Sequence, residues 1–154
     1  MKRYPYKWIE SLRALGARSG SVKTCGIHIH ISRSAFSHAH LYRFLRFHYD
    51  NPRLIRTVAQ RSSGQWACLT KESAKKYRDY SQGKDANRER YVAVNLQNED
   101  TIELRYFRGS LRTERIKKAF QFAQAAFDFT KWARLKHCKA NPNRVLTEKA
   151  FFIW

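Results

Sequence analysis

Two stretches decide the fold: CGIHIHIS at residues 25–32 and TIELRYFRG at residues 101–109. Successive side chains of a strand point to opposite faces. The first stretch therefore sets Ile27, Ile29 and Ile31 on one face and His28 and His30 on the other. The second groups Ile102, Leu104 and Tyr106 opposite Glu103, Arg105 and Phe107. Each reads as a strand with an apolar face and a polar one. YVAVNL (91–96) is a β-branched run and QNED (97–100) has turn chemistry, so residues 91–109 predict an antiparallel hairpin.

Around these strands the apolar period changes to that of helices. Residues 5–17 place Trp8, Ile9, Leu12 and Leu15 on one helical face, with Gly16 as a stop. Ser34 or Ser37 caps a helix whose inner face is Leu41, Phe44, Leu45 and His48. Asn51 and Pro52 then start another, carrying Leu54, Ile55, Val58 and Ala59. Residues 61–70 read as irregular or extended, and the very polar 71–90 as a surface loop with a frayed helix. A long helix is expected from Ser110 or Thr113 to about His137. Its core stripe is Ile116, Phe120, Ala123 and Phe127, and Lys131, Arg134 and Lys136 lie near its C-terminal end. The apolar tail ending at Trp154 is expected to pack on the body or on another chain. The sum is a single α+β domain over 1–154, an antiparallel sheet of at least three strands with helices on one face.

Composition narrows the partners. The chain holds 31 Lys and Arg against 12 Asp and Glu, a net charge of +19. Such an excess repels itself in the compact state, and an anionic polymer relieves the repulsion while releasing counterions. Aromatics interleave with the cations in YRFLRFHY (42–49), KKYRDY (75–80) and RYFRGSLR (105–112), a pattern suited to single-stranded nucleic acid. The expected contacts are Arg43, Arg46, Arg112, Arg115, Lys117 and Lys118. Signatures of the common RNA- and DNA-binding modules are absent. No run approaches the length of a membrane span and no signal peptide is visible, so no membrane partner is expected. Cys25, Cys68 and Cys138 form no C-x-x-C pair, which argues against a thiolate zinc site and places the chain in a reducing, cytoplasmic compartment.

The strand chemistry is the other candidate site. His28 and His30 on one face suit a metal ion or a phosphate oxygen, although a solvated strand face has the same pattern. Glu103 offers a carboxylate to a hard cation and Arg105 a guanidinium to a phosphate; a surface salt bridge is the plainer alternative.

CGIHIHIS followed by NLQNEDTIELRYFRGSL resembles the phage and bacterial amidoligases, relatives of glutamine synthetase and the carboxylate-amine ligases. Leu104 stands for the family's usual Phe and Ser110 for its usual Thr, and the resemblance covers about residues 25–127. It implies a partial glutamine synthetase-like fold and an ATP- and Mg²⁺-dependent ligase that joins a carboxylate to an amine through an acyl-phosphate. By matching positions, His28, His30 and Glu103 would lie at the metal–phosphate site, and Arg105 would hold the phosphate. The family pattern opens with a Gly-x-Glu strand whose carboxylates complete the metal site. Here the only acidic residue before Asp50 is Glu10.

The expectation is therefore a catalytically incomplete amidoligase-like protein that binds nucleic acid or a nucleoprotein complex. A phage-encoded inhibitor of a host nucleic-acid-dependent system is one such case. The alternative is an active ligase, with Glu103 and Arg105 catalytic, whose missing strand comes from a partner chain.

Overall fold

The computed structural model describes residues 6–19, 25–61, 65–84, 90–133 and 147–153. Its centre is a three-stranded antiparallel sheet in the order β1-β3-β2, with β1 Gly26–Ser32, β2 Val94–Asn95 and β3 Thr101–Arg108. The hairpin β2–β3 turns where expected. Asn98 organises the turn through its side-chain oxygen, which accepts from the amides of Asp100 and Thr101. Arg33 clasps it from outside by donating to the carbonyls of Leu96 and Asn98.

The register of β1 on β3 corrects one face assignment. Ile29 pairs with Leu104 and Ile27 with Phe107, so β3 carries an extra residue between the two pairs. A bulge of this kind shifts the alternation by one position. Phe107 therefore leaves the Glu103–Arg105 face and joins the core beside Tyr106 and Phe122.

Helices pack against the sheet. α1 spans Lys7–Ala14 and ends at Gly16, whose φ of +82° suits a residue without Cβ. Only Ile9 of its expected stripe is buried; Trp8, Leu12 and Leu15 are exposed. α2 (His38–Asp50) is capped by the Ser37 hydroxyl, which accepts the amide of His40, and buries Leu41, Phe44, Leu45 and His48 as expected. α3 (Pro52–Ala59) begins with proline in its first turn. Asn51, expected to cap it, instead donates to the carbonyl of Phe47 and accepts the amide of Glu148.

Residues 71–90 contribute more than a surface. α4 (Ala74–Ser81) is capped by Ser73 and drives Tyr77 into the core, stacked on Tyr49 at 5.5 Å between ring centroids. α5 (Thr113–Trp132) stops short of His137, and Arg134 and Lys136 lie outside the described residues. Its buried side chains are Ala119, Phe122, Ala123, Ala126, Phe129 and Thr130, while Phe120 is exposed. Of the expected stripe, Ala123 is buried and Phe127 half-buried against Phe36 and His40, Ile116 is half-buried and Phe120 faces solvent, while Phe122 and Phe129 join the core beside it. The tail forms α6 (Glu148–Ile153), whose Phe151 sits among Phe47, Phe122 and Phe129, so it packs on the body as expected. No described helix is long and apolar enough to cross a membrane.

Candidate functional site

Register builds the site. Asn95 on β2, Glu103 on β3 and His30 on β1 stand opposite one another in a single row across the sheet. His28 and Arg105, two residues along their strands, join the row on the same face. One Glu103 oxygen, Oε1, lies 2.7 Å from His28 Nδ1 and 3.8 Å from His30 Nε2. The other, Oε2, accepts from Asn95 Nδ2 at 3.0 Å and from Arg105 Nη1 at 3.1 Å. His30 turns its Nδ1 to the Thr101 hydroxyl, 2.9 Å away. Glu103 and Arg105 are nearly covered, whereas the two imidazoles reach solvent.

Charge follows from these contacts. Burial of Glu103 works to raise its pKa, but the hydrogen bonds from Asn95 and Arg105 and the charge of Arg105 outweigh it, so the carboxyl titrates below its usual range. For His28, burial is the largest influence and lowers the pKa. Glu103 pulls it back up, and Arg105 and Arg61 lower it again, leaving it below the ordinary value. At neutral pH His28 is therefore uncharged, donates Nδ1–H to Glu103 and keeps a lone pair on Nε2. The contact is a hydrogen bond to a carboxylate rather than an ion pair.

Two participants escaped the sequence reading. Asn95 was legible as part of a strand, and only the hairpin register discloses that it faces Glu103. Arg61 follows α3 and reaches β1, where a Cβ on Gly26 would lie 2.6 Å from Arg61 Nη1 and 3.3 Å from His28 Nε2. Glycine at position 26 leaves room for both tips, which no local pattern announces.

The Mg²⁺ implied by the ligase resemblance does not fit this arrangement. A hard cation needs carboxylate oxygens to itself, and both oxygens of Glu103 already face N–H groups, one of them a guanidinium. Among the described residues no group of three His, Cys, Asp or Glu side chains is placed to hold a metal ion. His28, His30 and Glu103 are brought together, then, but as a hydrogen-bonded row around a neutralised carboxylate.

The six cations expected to contact nucleic acid divide into two groups. Arg43 donates from Nε to the carbonyl of Thr130 at 2.7 Å and from Nη2 to that of Lys131 at 3.1 Å, tying down the C-terminal end of α5. Arg46 pairs with Asp50 and donates to the Tyr42 hydroxyl, with its side chain largely covered. Both serve the fold. Arg112, Lys117 and Lys118 are exposed and Arg115 half-buried, around the first turns of α5. Arg108, also exposed, precedes them at the end of β3. Lys117 lies over the Tyr6 ring, 5.3 Å from its centroid.

No family model matches the chain, and searches of the curated proteins and of the solved structures likewise find no match.

Proposed function

We propose that the protein is a basic nucleic-acid-binding factor whose principal contact is the cationic amino end of α5. The observation that carries this reading is the placement of Arg112, Arg115, Lys117 and Lys118 there, in a chain of net charge +19. Arg112 and Arg115 stand at the first turn, at the positive end of the helix dipole, where cations are unfavourable within the molecule and Glu114 offsets only one of them; Lys117 and Lys118 follow one turn on. A phosphate backbone removes both penalties. Arg43 and Arg46 have no part in this surface. The hydrogen-bonded Glu103 row supports the same reading, since its carboxylate is satisfied internally rather than offered to a cation.

Salt dependence of single-strand binding, read by fluorescence anisotropy, tests it. Four phosphate contacts on a single strand give a log–log slope of about −3, or roughly sixtyfold weakening between about 50 and about 200 mM salt. Reversing Lys117 and Lys118 to Glu should flatten that slope by more than half. Affinity indifferent to salt and to these reversals would refute the proposal.

A second reading keeps the ligase, with the carboxylates for Mg²⁺ that Glu103 does not offer supplied by a partner chain. It is favoured by one observation, that His28, His30, Glu103 and Arg105 converge on one sheet face as the resemblance implies. Its signature is release of ADP that needs ATP, Mg²⁺ and the partner, and that Glu103→Ala abolishes.

A further inference from the structure

A cleft of about 100 Å³ opens between α2, α4 and the bridge that joins Cys68 to Val92. It lies apart from the Glu103 row, and neither role proposed above uses it. Tyr49 and Tyr77, stacked and buried, form part of its lining. Leu96 adds apolar carbon, and Thr70, Glu72, Lys76 and Tyr80 supply polar groups. The enclosed space holds several waters, and because the cleft opens to solvent it admits the edge of a planar ring.

Its hydrogen-bonding capacity is specific. The Tyr49 hydroxyl accepts the amide of Val94 at 3.2 Å, and the Tyr77 hydroxyl accepts that of Glu72 at 2.6 Å. Each phenol keeps its own proton to donate. Burial raises the pKa of both, so both remain protonated. Glu72 is an acceptor whose charge is balanced by Lys76 Nζ at 2.9 Å, and that ammonium also lies 5.7 Å from the Tyr80 ring centroid. The cleft therefore combines aromatic and aliphatic walls with donors and an acceptor. Its surroundings stay positive after pairing: with Lys76 on Glu72 and Lys71 on Asp50, the stretch from Thr70 to Lys84 still carries Lys75, Arg78 and Lys84 against Asp79.

We propose that this cleft seats one unpaired nucleobase of a single-stranded partner, with the adjoining phosphates held by Lys75, Arg78 and Lys84. The proposal rests on the nucleic-acid reading above. A base has π faces for the apolar walls and polar edges for the phenol protons and the Glu72 carboxylate. An acidic peptide anchored by phenylalanine shares the charge preference but leaves those buried polar groups against carbon, which is costly.

The test compares an oligocytidylate with an abasic oligonucleotide of equal length and charge, binding to the full chain and to Thr70→Trp. Thr70 is exposed, so tryptophan there obstructs the mouth without entering the core. The expected result is about tenfold tighter binding of the base-bearing strand, a margin set by stacking. Thr70→Trp should erase that margin and leave abasic binding unchanged. In the unsubstituted protein, a halogenated pyrimidine in the strand should photo-cross-link to Tyr80 or Tyr77, which needs no variant to fold. Equal binding of the two strands overturns the base site while leaving phosphate binding intact. Failure of both strands to bind overturns the reading beneath it as well. A phenylalanine-bearing acidic peptide that binds in a Thr70→Trp-sensitive way, while the oligonucleotide does not, makes the occupant a peptide and overturns the nucleobase.

Discussion

His48 lies inside α2 with no exposed surface, its Nδ1 2.8 Å from the carbonyl of Phe44 and its Nε2 3.0 Å from the Tyr106 hydroxyl. A carbonyl only accepts, so Nδ1 carries the proton, Nε2 accepts, and the Tyr106 phenol donates. Protonating Nε2 would bury a charge and set two donors against each other. Burial accordingly pushes the His48 pKa down to about 4, from 6.5 in the unfolded chain. The sign follows from linkage: the unfolded state takes up a proton first, so stability is complete above about pH 6.5 and drains as pH falls toward 4. At about pH 5 the loss from His48 alone is roughly 2 kcal/mol. For a domain of this size that lowers Tm by about 4–8 °C. His40, whose Nε2 contacts the Phe127 carbonyl and the Thr130 hydroxyl, is also lowered to about 4 by burial and steepens the same slope. Glu103, lowered instead as an acid, loses its contribution only below the ordinary carboxylate range, so scans between about pH 5 and 7.5 isolate the histidines. Thermal scans of the parent and of His48→Gln should diverge in slope, the variant losing roughly 2 kcal/mol less on acidification. A pH-independent parent Tm across that window, or parallel slopes for the two proteins, would refute the buried neutral pair.

Arg43→Ala removes two charge-assisted bonds to the end of α5 and should cost about 2–3 kcal/mol in urea denaturation. Below its midpoint the variant should bind nucleic acid as the parent does; weakened binding by folded protein would return Arg43 to the interface. Glu103→Gln sets an amide against the row's donors and should cost about 1–3 kcal/mol. It should also lower the His28 pKa further in an NMR titration, because Glu103 is what raises it. Asn51→Ala cuts the link from α2 to α6 and should cost about 1–2 kcal/mol. Amide exchange should quicken at residues 148–152, and unchanged protection there would show α6 held by Phe151 alone.

The strands were legible because alternation along CGIHIHIS and TIELRYFRG is a local property, as was the turn between β2 and β3. What escaped was set across the fold. Nothing local marks the bulge that turns Phe107 inward, because it exists only in the pairing of Ile27 and Ile29 with β3. In α5, phenylalanines at 120, 122, 127 and 129 support two stripes, and periodicity does not choose between them. The structure draws on both: Phe122 and Phe129 are buried, Phe127 is half-buried against Phe36 and His40, and Phe120 faces solvent. α4 looked polar throughout because, among its described side chains, Tyr77 and Ser81 alone are fully buried, with Tyr80 packing partly beside them, and Tyr77 counts only once Tyr49 is known to face it.

The same division separates the two kinds of arginine. Arg43, Arg46 and Arg112 are alike in sequence, each a cation beside aromatic or apolar residues. Arg43 becomes structural because the last turn of α5 leaves carbonyls without helical partners and α2 crosses that end. Arg46 becomes structural because Asp50 stands one helical turn away, a pair that was readable from spacing. Arg112 has neither a carboxylate one turn away nor a carbonyl bond like those of Arg43 among its described contacts, and it stands where the helix dipole disfavours it. A basic sequence therefore points to a candidate binding surface only after the cations committed to carbonyls and carboxylates are set aside. What remains around the start of α5 is a cluster of cations, two of them, Arg112 and Arg115, in the local field least favourable to them, which is the condition an incoming phosphate relieves.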